Sequence, residues 1–295
     1  MRPLSNTVAT IALAVCVLGA AAGRGMAEPI TDGLALWLDA ADTGTLYQDA
    51  ALTNPLTGPA QTVRGWADKA ALGGTNNATK SGGSAPSYQT NVINGSPALA
   101  FNRSQLTVTG GIGIPNMQDR TIFLVMNYTN SPGNSEILGR STAAMADVGS
   151  FQVDKRLRMR DATNGGPGDD GFNGIYAAAN SLPYGSHLLV IEANGSGTFG
   201  HSDGITILDR PGTTFQHYGM DSDLGIGGAN FSGREYVGNL AEVLIYNRAL
   251  TSDEINEVGF DLEEKYGLDT TYTPEPSGFL LLLVALLPAC RKRTR

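Results

Sequence analysis

The sequence predicts an all-β protein, a sandwich of two antiparallel sheets with one helix near its C-terminal end. The first observation is composition: 38 of the 295 residues are glycine and 16% are charged, which disfavours helical bundles. The second is a series of short apolar runs separated by Gly, Asn, Ser, Asp and Pro, as strands and turns alternate. The third is the 41% apolar content, which is enough to bury a core and disfavours disorder.

The strand-like runs differ in how they are patterned. Residues 121–128 and 188–191 are almost continuously apolar, which predicts central strands buried on both faces. Residues 156–160 alternate, which predicts Leu157 and Met159 inward and three arginines outward. Strands are predicted at 34–38, 98–101, 121–128, 150–153, 157–160, 187–193, 205–208, 224–226 and 236–246.

One helix is predicted after residue 250. Thr251 and Glu254 form a capping box, in which the threonine hydroxyl accepts from the backbone N–H of Glu254 and the glutamate reaches back. Gly267 suits the left-handed conformation that ends many helices. Four apolar residues at helical spacing form a stripe that we expect to pack on the sandwich: Ile255, Val258, Leu262 and Tyr266.

The two ends have the composition of targeting segments. Residues 1–27 are expected to be a signal peptide, with Arg2 before an apolar run and the small residues Gly25 and Ala27 at its end. Residues 28–270 form the predicted domain. Residues 271–295 contain Pro274, Glu275 and Pro276, an apolar run at 278–290 and a basic end. That run is short for a membrane span, so we expect transient membrane contact.

This three-part tail resembles the PEP-CTERM sorting signal of Gram-negative bacteria. The resemblance implies an exosortase-type membrane processing enzyme as a partner. It also implies export to the cell surface or to an extracellular polysaccharide matrix. A tail that is kept as an anchor is the alternative.

Four segments resemble the LamG-like, concanavalin A-like jelly-roll domains of bacterial surface proteins. They are residues 33–42, 63–69 with a W-x-D pattern, 94–101, and 238–268 with the closing strand and helix. The resemblance implies a jelly roll of two antiparallel sheets. Members of this family bind glycans or proteins, sometimes with Ca²⁺, and some relatives of the fold are glycan hydrolases or lyases. Residues 70–77 depart from the family pattern after W-x-D.

Charge and cysteine content exclude several functions. Acidic residues outnumber basic ones, 28 to 20, and the excess widens between residues 28 and 273 because six of the basic residues lie in the two ends. An acidic domain repels phosphate backbones, so nucleic acid is not an expected partner. Cys16 and Cys290 both lie in the terminal segments, so the domain has no disulfide, thiolate metal site or cysteine nucleophile.

The sequence predicts that the protein is not an enzyme. Jelly-roll hydrolases use a strand with an E-x-D-x-x-E run, and none is present. Glu242 stands alone on its strand, and Glu192 has no acid two residues on. No recognisable triad motif includes a histidine; the histidines are His187, His201 and His217. A pair of carboxylates converging in a groove would favour an enzyme instead.

Calcium is a possible cofactor, because hard cations take carboxylate and carbonyl oxygens. No EF-hand or nonapeptide pattern organises the aspartates, and aspartates also cap turns. The candidate ligands are Asp39, Asp42, Asp68, Asp169, Asp170, Asp221 and Asp223.

Glycan contact would use exposed aromatic rings, on which sugars stack. Trp37 lies between two leucines in a strand, so we expect it to pack in the protein. The candidate ligand-binding residues in predicted loops are Tyr88, Tyr176, Tyr184, His217 and Tyr218. The sequence therefore predicts an exported surface or matrix protein whose module binds a glycan or another macromolecule without catalysis. A carbohydrate-active enzyme and a purely structural matrix protein are the alternatives.

Overall fold

A computed structural model describes residues 28–70, 76–129, 135–140, 150–160, 174–212, 219–228 and 234–273. Over these residues the chain forms two antiparallel sheets packed face to face and one α-helix, α1 (Ser252–Tyr266). The predicted fold class is confirmed. Within the described part of the chain, no helix has the length and apolar character to cross a membrane.

Seventeen strands are present in the described residues. They are β1 (Leu34–Asp39), β2 (Leu46–Tyr47), β3 (Gly65–Trp66), β4 (Ala78–Thr79), β5 (Ser87–Ile93), β6 (Ser96–Asn102), β7 (Leu106–Val108), β8 (Arg120–Tyr128), β9 (Ser135–Arg140), β10 (Ser150–Val153), β11 (Leu157–Arg160), β12 (Gly174–Tyr176), β13 (Gly185–Asn194), β14 (Gly197–Ser202), β15 (Ile205–Pro211), β16 (Leu224–Ile226) and β17 (Val237–Tyr246).

The strand order separates the two sheets. The first sheet runs β15-β14-β13-β8-β17-β6-β5, and β1 pairs with the second half of β17. The second sheet runs β12-β11-β10-β9-β16-β7-β4-β3-β2. A short 3₁₀ helix, Thr43–Thr45, follows β1 and is capped by Asp42. The core lies between the two sheets, and a smaller apolar cluster lies between the first sheet and α1.

The apolar runs occupy the centre of the first sheet, as predicted. β8 and β13 are neighbours there, and Ile122 and Leu124 of β8 face the core while Phe123 and Val125 face the helix. All four side chains are almost fully buried. Continuous apolar sequence is needed because both faces of these strands are covered.

The helix forms as its sequence predicts. The Thr251 hydroxyl accepts from the backbone N–H of Glu254, and the Glu254 carboxylate accepts from that of Thr251. Gly267 ends the helix with φ of +57°, a conformation that favours glycine. The four residues of the predicted stripe are buried against the first sheet, beside Leu188 and Leu244.

Several strands escaped sequence prediction. No strand was predicted at β9 or β12, which lie next to residues 141–149 and 161–173, outside the described residues. None was predicted at β2, β3 or β4 either, and each of these has only two residues. β5 is half exposed and polar, so it lacks the apolar run that marks β8. Asn94 and Gly95 form the hairpin turn between β5 and β6, both with positive φ, which Asn-Gly pairs tolerate well.

Candidate functional site

A line of polar side chains crosses the outer face of the second sheet. One residue comes from each of four neighbouring strands and one from the segment just before β17. We call this line the polar row; its members are Tyr176, Arg158, Gln152, Glu136 and Glu235. Neighbouring strands lie about 4.8 Å apart, so five positions span about 19 Å. That length suits an extended ligand.

The register of the strands places the polar row on one face. Arg158 lies opposite Tyr176 on one side and Gln152 on the other. Gln152 lies opposite Glu136. Leu157 and Met159 flank Arg158 and point into the core, so alternation turns Arg158 and its cross-strand neighbours outward. The predicted inward positions of Leu157 and Met159 are confirmed.

The middle of the row is deeply buried although it faces away from the core. Gln152 and Glu136 are both 0% exposed. The Gln152 amide nitrogen donates to Glu136 Oε1 at 3.2 Å and to the hydroxyl of Ser150 at 2.9 Å. The other amide atom, Gln152 Oε1, is buried and has no hydrogen-bond partner within the described ranges. A buried acceptor without a hydrogen-bond donor lowers the free energy of unfolding.

Two arginines hold the tyrosine at one end of the row. The guanidinium carbons of Arg156 and Arg158 lie 4.9 and 5.0 Å from the centre of the Tyr176 ring. Arg158 also pairs with Asp154, with Nη2 at 2.9 Å from Oδ2. Arg210 reaches the backbone oxygen of Tyr176 at 3.4 Å. These contacts bring an aromatic ring and guanidinium groups together, which are kinds of group that glycan sites use.

Two glutamates lie together at the opposite end of the row. Glu136 and Glu235 are opposite one another in an isolated parallel bridge, and the Glu136 N–H donates to the carbonyl of Arg234 at 2.7 Å. Tyr236, the next residue, is buried in the core, so Glu235 points to the outer face. Glu235 is half-buried. Sequence analysis missed both acids because they are distant in the chain and β9 was not predicted.

Of the aromatic candidates predicted to lie in loops, Tyr88 and Tyr176 lie in strands instead, and Tyr184 lies between strands as predicted. Tyr88 is not in a loop: it lies in β5, is 7% exposed and packs in the core. Tyr184 is 42% exposed and has the ammonium of Lys155 at 5.0 Å from its ring centre. Tyr176 lies in β12, in the polar row. His217 and Tyr218 lie outside the described residues.

The predicted calcium ligands of the first strand already contact a lysine. The Lys69 ammonium lies 3.1 Å from Asp39 Oδ2 and 3.0 Å from Asp42 Oδ2. Asp68 Oδ1 accepts from the backbone N–H groups of Trp37 and Ala70, both at 2.9 Å. Burial raises the pKa of Asp68 above its ordinary value.

The remaining acidic candidates are dispersed. Asp223 accepts from the backbone N–H of Gly110 at 2.7 Å, and Asp221 is exposed. Asp169 and Asp170 lie outside the described residues. Among the residues that the structure describes, no three His, Cys, Asp or Glu side chains converge as a metal site would require. Calcium binding therefore stays a prediction.

A second group of buried charges lies under the helix, on the outer face of the first sheet. Glu242 is not alone: its cross-strand neighbour is Asp39. The Glu242 carboxylate accepts from Trp37 Nε1 at 2.7 Å, from Lys265 Nζ at 2.6 Å and from the Tyr266 hydroxyl at 2.8 Å. Lys265 also lies 3.0 Å from Asp39. We call these five residues the helix-side cluster. As expected, Trp37 serves packing.

The cluster gives its two acids opposite pKa shifts. Burial raises the pKa of Glu242, although Lys265 opposes the shift. Burial also acts to raise the pKa of Asp39, but Lys265 and Lys69 outweigh it and hold that pKa below its ordinary value. Because its hydrogen bonds are made within the fold, the cluster is a structural element.

One further group contains the side chains of a serine-protease triad in the wrong arrangement. Ser202 Oγ and Asp203 Oδ2 both lie near the same imidazole nitrogen, His187 Nδ1, at 3.2 and 2.7 Å. His187 Nε2 faces the carbonyl of Pro183 at 2.8 Å. A triad needs the serine at Nε2 and the aspartate at Nδ1, so this group does not activate the serine.

The fold resembles those of several solved proteins that act on or bind other molecules. A GH54 α-L-arabinofuranosidase matches 83% of this chain and 65% of its own, at 12% identity and a TM-score of 0.53. The binding domain of Paraclostridial Mosquitocidal Protein 1 matches 78% of this chain and 52% of its own, at 15% identity and a TM-score of 0.51.

Domain 4 of an extracellular GH43 arabinanase from Geobacillus stearothermophilus, solved with arabinotriose, matches more weakly. It aligns with 77% of this chain and 98% of its own, at 12% identity and a TM-score of 0.45. The chain spans about a third of the length of Trypanosoma rangeli sialidase. No protein-family model and no curated protein matches the sequence.

The prediction that the protein is not an enzyme is wrong. It rested on a missing motif, yet the fold is shared with a glycoside hydrolase of unrelated sequence. The absence of one E-x-D-x-x-E run therefore does not exclude catalysis.

Proposed function

We propose that the protein binds a glycan along the polar row. The observation that carries this proposal is the half-buried ring of Tyr176, with the guanidinium carbons of Arg156 and Arg158 at 4.9 and 5.0 Å from its centre. The ring lies at one end of a row that also contains an amide and two glutamates, the mixture of ring, donors and acceptors that sugars need.

The solved structures of similar fold are consistent with this proposal in their architecture. They include a protein that acts on arabinofuranosides and one described as a binding domain. At 12–15% identity they support the fold alone, so the sugar is left to experiment. The LamG-like assignment belongs to this proposal and is supported by the sequence segments at 33–42, 63–69, 94–101 and 238–268.

The test is a binding screen of the full-length protein against polysaccharides, with arabinan and arabinotriose as first probes. We expect Tyr176→Ala to weaken binding about tenfold, or ~1.4 kcal/mol. Ile205→Ala is the control, since it removes a 61% exposed apolar side chain of β15 in the other sheet, and should leave affinity unchanged. Equal loss in both variants, or binding of no glycan by the wild-type chain, would contradict the proposal.

Export and sorting form a separate part of the proposal. The support is the apolar N-terminal run and the Pro274–Pro276 motif before an apolar and basic tail. An exosortase-type enzyme would then release the protein to the cell surface or matrix. Cell fractionation and intact mass measurement test this, and a protein found in the cytosol at full mass would overturn it.

A further inference from the structure

The residues that follow the helix end, 268–273, are docked on the domain, and we call them the docked segment. We infer that Asn256 holds the last of them, Thr273, and thereby sets the limit up to which a protease can remove the C-terminal tail. This inference deepens the sorting part of the proposed function and, as a statement about processing in the cell, rests on it. Residues 274–295 lie outside the described residues.

Asn256 binds both backbone groups of Thr273. Its Nδ2 donates to the Thr273 carbonyl at 2.6 Å, and the Thr273 N–H donates to its Oδ1 at 3.1 Å. Asn256 lies within α1, so a regular element of the fold carries this amide. The N–H and carbonyl of one residue are also the groups that an extended peptide uses when it binds a protein as an added strand. A protease that binds its substrate in this way must first break both bonds.

The rest of the docked segment is anchored by packing and by one further backbone bond. The ring of Tyr272 packs with the apolar cluster between α1 and the first sheet. The Thr271 N–H donates to the carbonyl of Asp203, in the turn between β14 and β15, at 3.1 Å. Leu268 is 8% exposed. The segment therefore contacts both the helix and the first sheet before it reaches Asn256.

A glycine inside the helix fits the same docking. Gly259 lies in the middle of α1 and is buried, although glycine at such a position destabilises a helix relative to alanine. A Cβ built there would lie 2.6 Å from the Tyr272 ring, which is closer than two carbon atoms can approach. The helix thus has the one residue that admits this ring, so its sequence is adapted to the docked segment.

These contacts determine where proteolysis stops. Whether a terminus can be removed depends on the burial and hydrogen bonding of its backbone, and cleavage of a folded segment follows the population of its open form. Opening the docked segment requires loss of the Asn256 pair and of the Tyr272 packing. Cleavage is therefore slow up to Thr273, which directly precedes the Pro274–Pro276 motif. A processing enzyme that acts on the tail leaves a mature C-terminus at or beyond residue 273.

The experiment is limited proteolysis of the full-length protein with proteinase K, followed by mapping of the C-terminal peptides. We expect a wild-type product that ends at or beyond residue 273. Asn256→Ala should be trimmed into residues 268–273 about tenfold faster or more, because two hydrogen bonds are lost. Asn256→Asp keeps the acceptor for the Thr273 N–H and loses the donor to its carbonyl, so its trimming rate should lie between the two.

Two other helix variants sharpen the test. Gly259→Ala adds a methyl group that displaces Tyr272 while placing a better helix former in α1, and it should also accelerate trimming. Glu257→Ala changes the exposed neighbour of Asn256 and should leave both the end point and the rate unchanged. Melting curves confirm that each variant folds. Hydrogen exchange of the wild type gives an independent measure, in which the amides of Thr271 and Thr273 should be protected.

The outcomes separate this inference from the sorting proposal. Wild-type protein that is trimmed into residues 268–273 as fast as Asn256→Ala overturns the inference, and so does a wild-type tail that resists the protease beyond Thr273. If the protein stays in the cytosol at full mass while the proteolytic product still ends beyond residue 273, the sorting proposal fails and the role of Asn256 stands. An exported form that ends within residues 268–272 has the opposite meaning.

Discussion

The two outer faces of the sandwich each bury a glutamate, and the surroundings of the two acids differ. Under the helix, Glu242 accepts from Trp37, Lys265 and Tyr266. On the second sheet, Glu136 accepts from Gln152, whose own oxygen has no partner among the described residues. The helix-side cluster is closed by groups of the protein, whereas the polar row leaves an acceptor for something else.

This difference shows that burial of a charge is not in itself a sign of function. A buried ion pair with its hydrogen bonds made contributes to a specific fold and needs no ligand. A buried polar atom without a partner is rare in native proteins and calls for an explanation. The Gln152 oxygen is one of several such atoms among the described residues, and the predictions below test whether the two faces differ in stability and in binding.

The largest effect is expected under the helix, from Lys265→Met. The substitution leaves the buried carboxylates of Glu242 and Asp39 without their shared cation. Breaking a buried pair from one side lowers the free energy of unfolding by about 3–5 kcal/mol. Chemical denaturation measures the loss. Lys155→Met, at an exposed lysine, is the control and should stay within about 0.5 kcal/mol of wild type.

The next largest effect is expected on the polar row, from Gln152→Met, and it concerns glycan affinity as well as stability. Gln152→Met keeps the length of the side chain but removes both the open acceptor and the donor to Glu136. We expect glycan affinity to fall about tenfold, or ~1.4 kcal/mol, with a loss of about 1–3 kcal/mol in stability because the buried Glu136 carboxylate loses a donor. Calorimetric titration and denaturation of the same sample give both numbers. If the variant loses stability but keeps its glycan affinity, the row has a structural role, like the helix-side cluster, and the prediction is wrong.

A smaller effect is expected at the N-terminus of the helix that covers the first sheet. Thr251→Ala removes the hydroxyl that accepts from the Glu254 N–H, and loss of such a cap costs about 1 kcal/mol. Ser252→Ala changes the adjacent exposed hydroxyl, which does not cap the helix, and should have almost no effect. Glycan affinity should be equal in both variants, because the helix lies on the face opposite the row. Reduced affinity in Thr251→Ala alone would link the two faces.

The sequence predicted well what depends on neighbours in the chain. The helix, its capping box at Thr251 and its end at Gly267 are local patterns, and all three are confirmed. The long apolar runs of β8 and β13 were predicted because strands covered on both faces need no polar residues. Short strands such as β3 and β4 have too few residues to show any periodicity.

The sites depend on residues distant in the chain, so the sequence revealed less of them. Asp39 and Glu242 meet across β1 and β17 although 203 positions separate their numbers, and Glu136 meets Glu235 in the same way. Such pairs are set by strand order, which periodicity does not encode. Tyr176 was named from its residue type, which is a local signal, and its role in binding stays a prediction. Tyr88 has the same signal and is buried, so residue type alone does not separate the two.

The smallest effect is a pH dependence of stability that originates in the first sheet. Burial acts to lower the pKa of His187, but the hydrogen bond and charge of Asp203 and the carbonyl of Pro183 outweigh it and raise the pKa above 6.5. A histidine whose pKa is raised on folding stabilises the protein fully below its unfolded value, and this contribution is lost as pH rises through the folded value. Unfolding free energy should therefore decline above about pH 6.5. His187→Gln and Asp203→Asn should both flatten the decline. If glycan affinity followed the same curve in wild type and lost it in His187→Gln, the separation of a structural first sheet from a binding second sheet would be wrong.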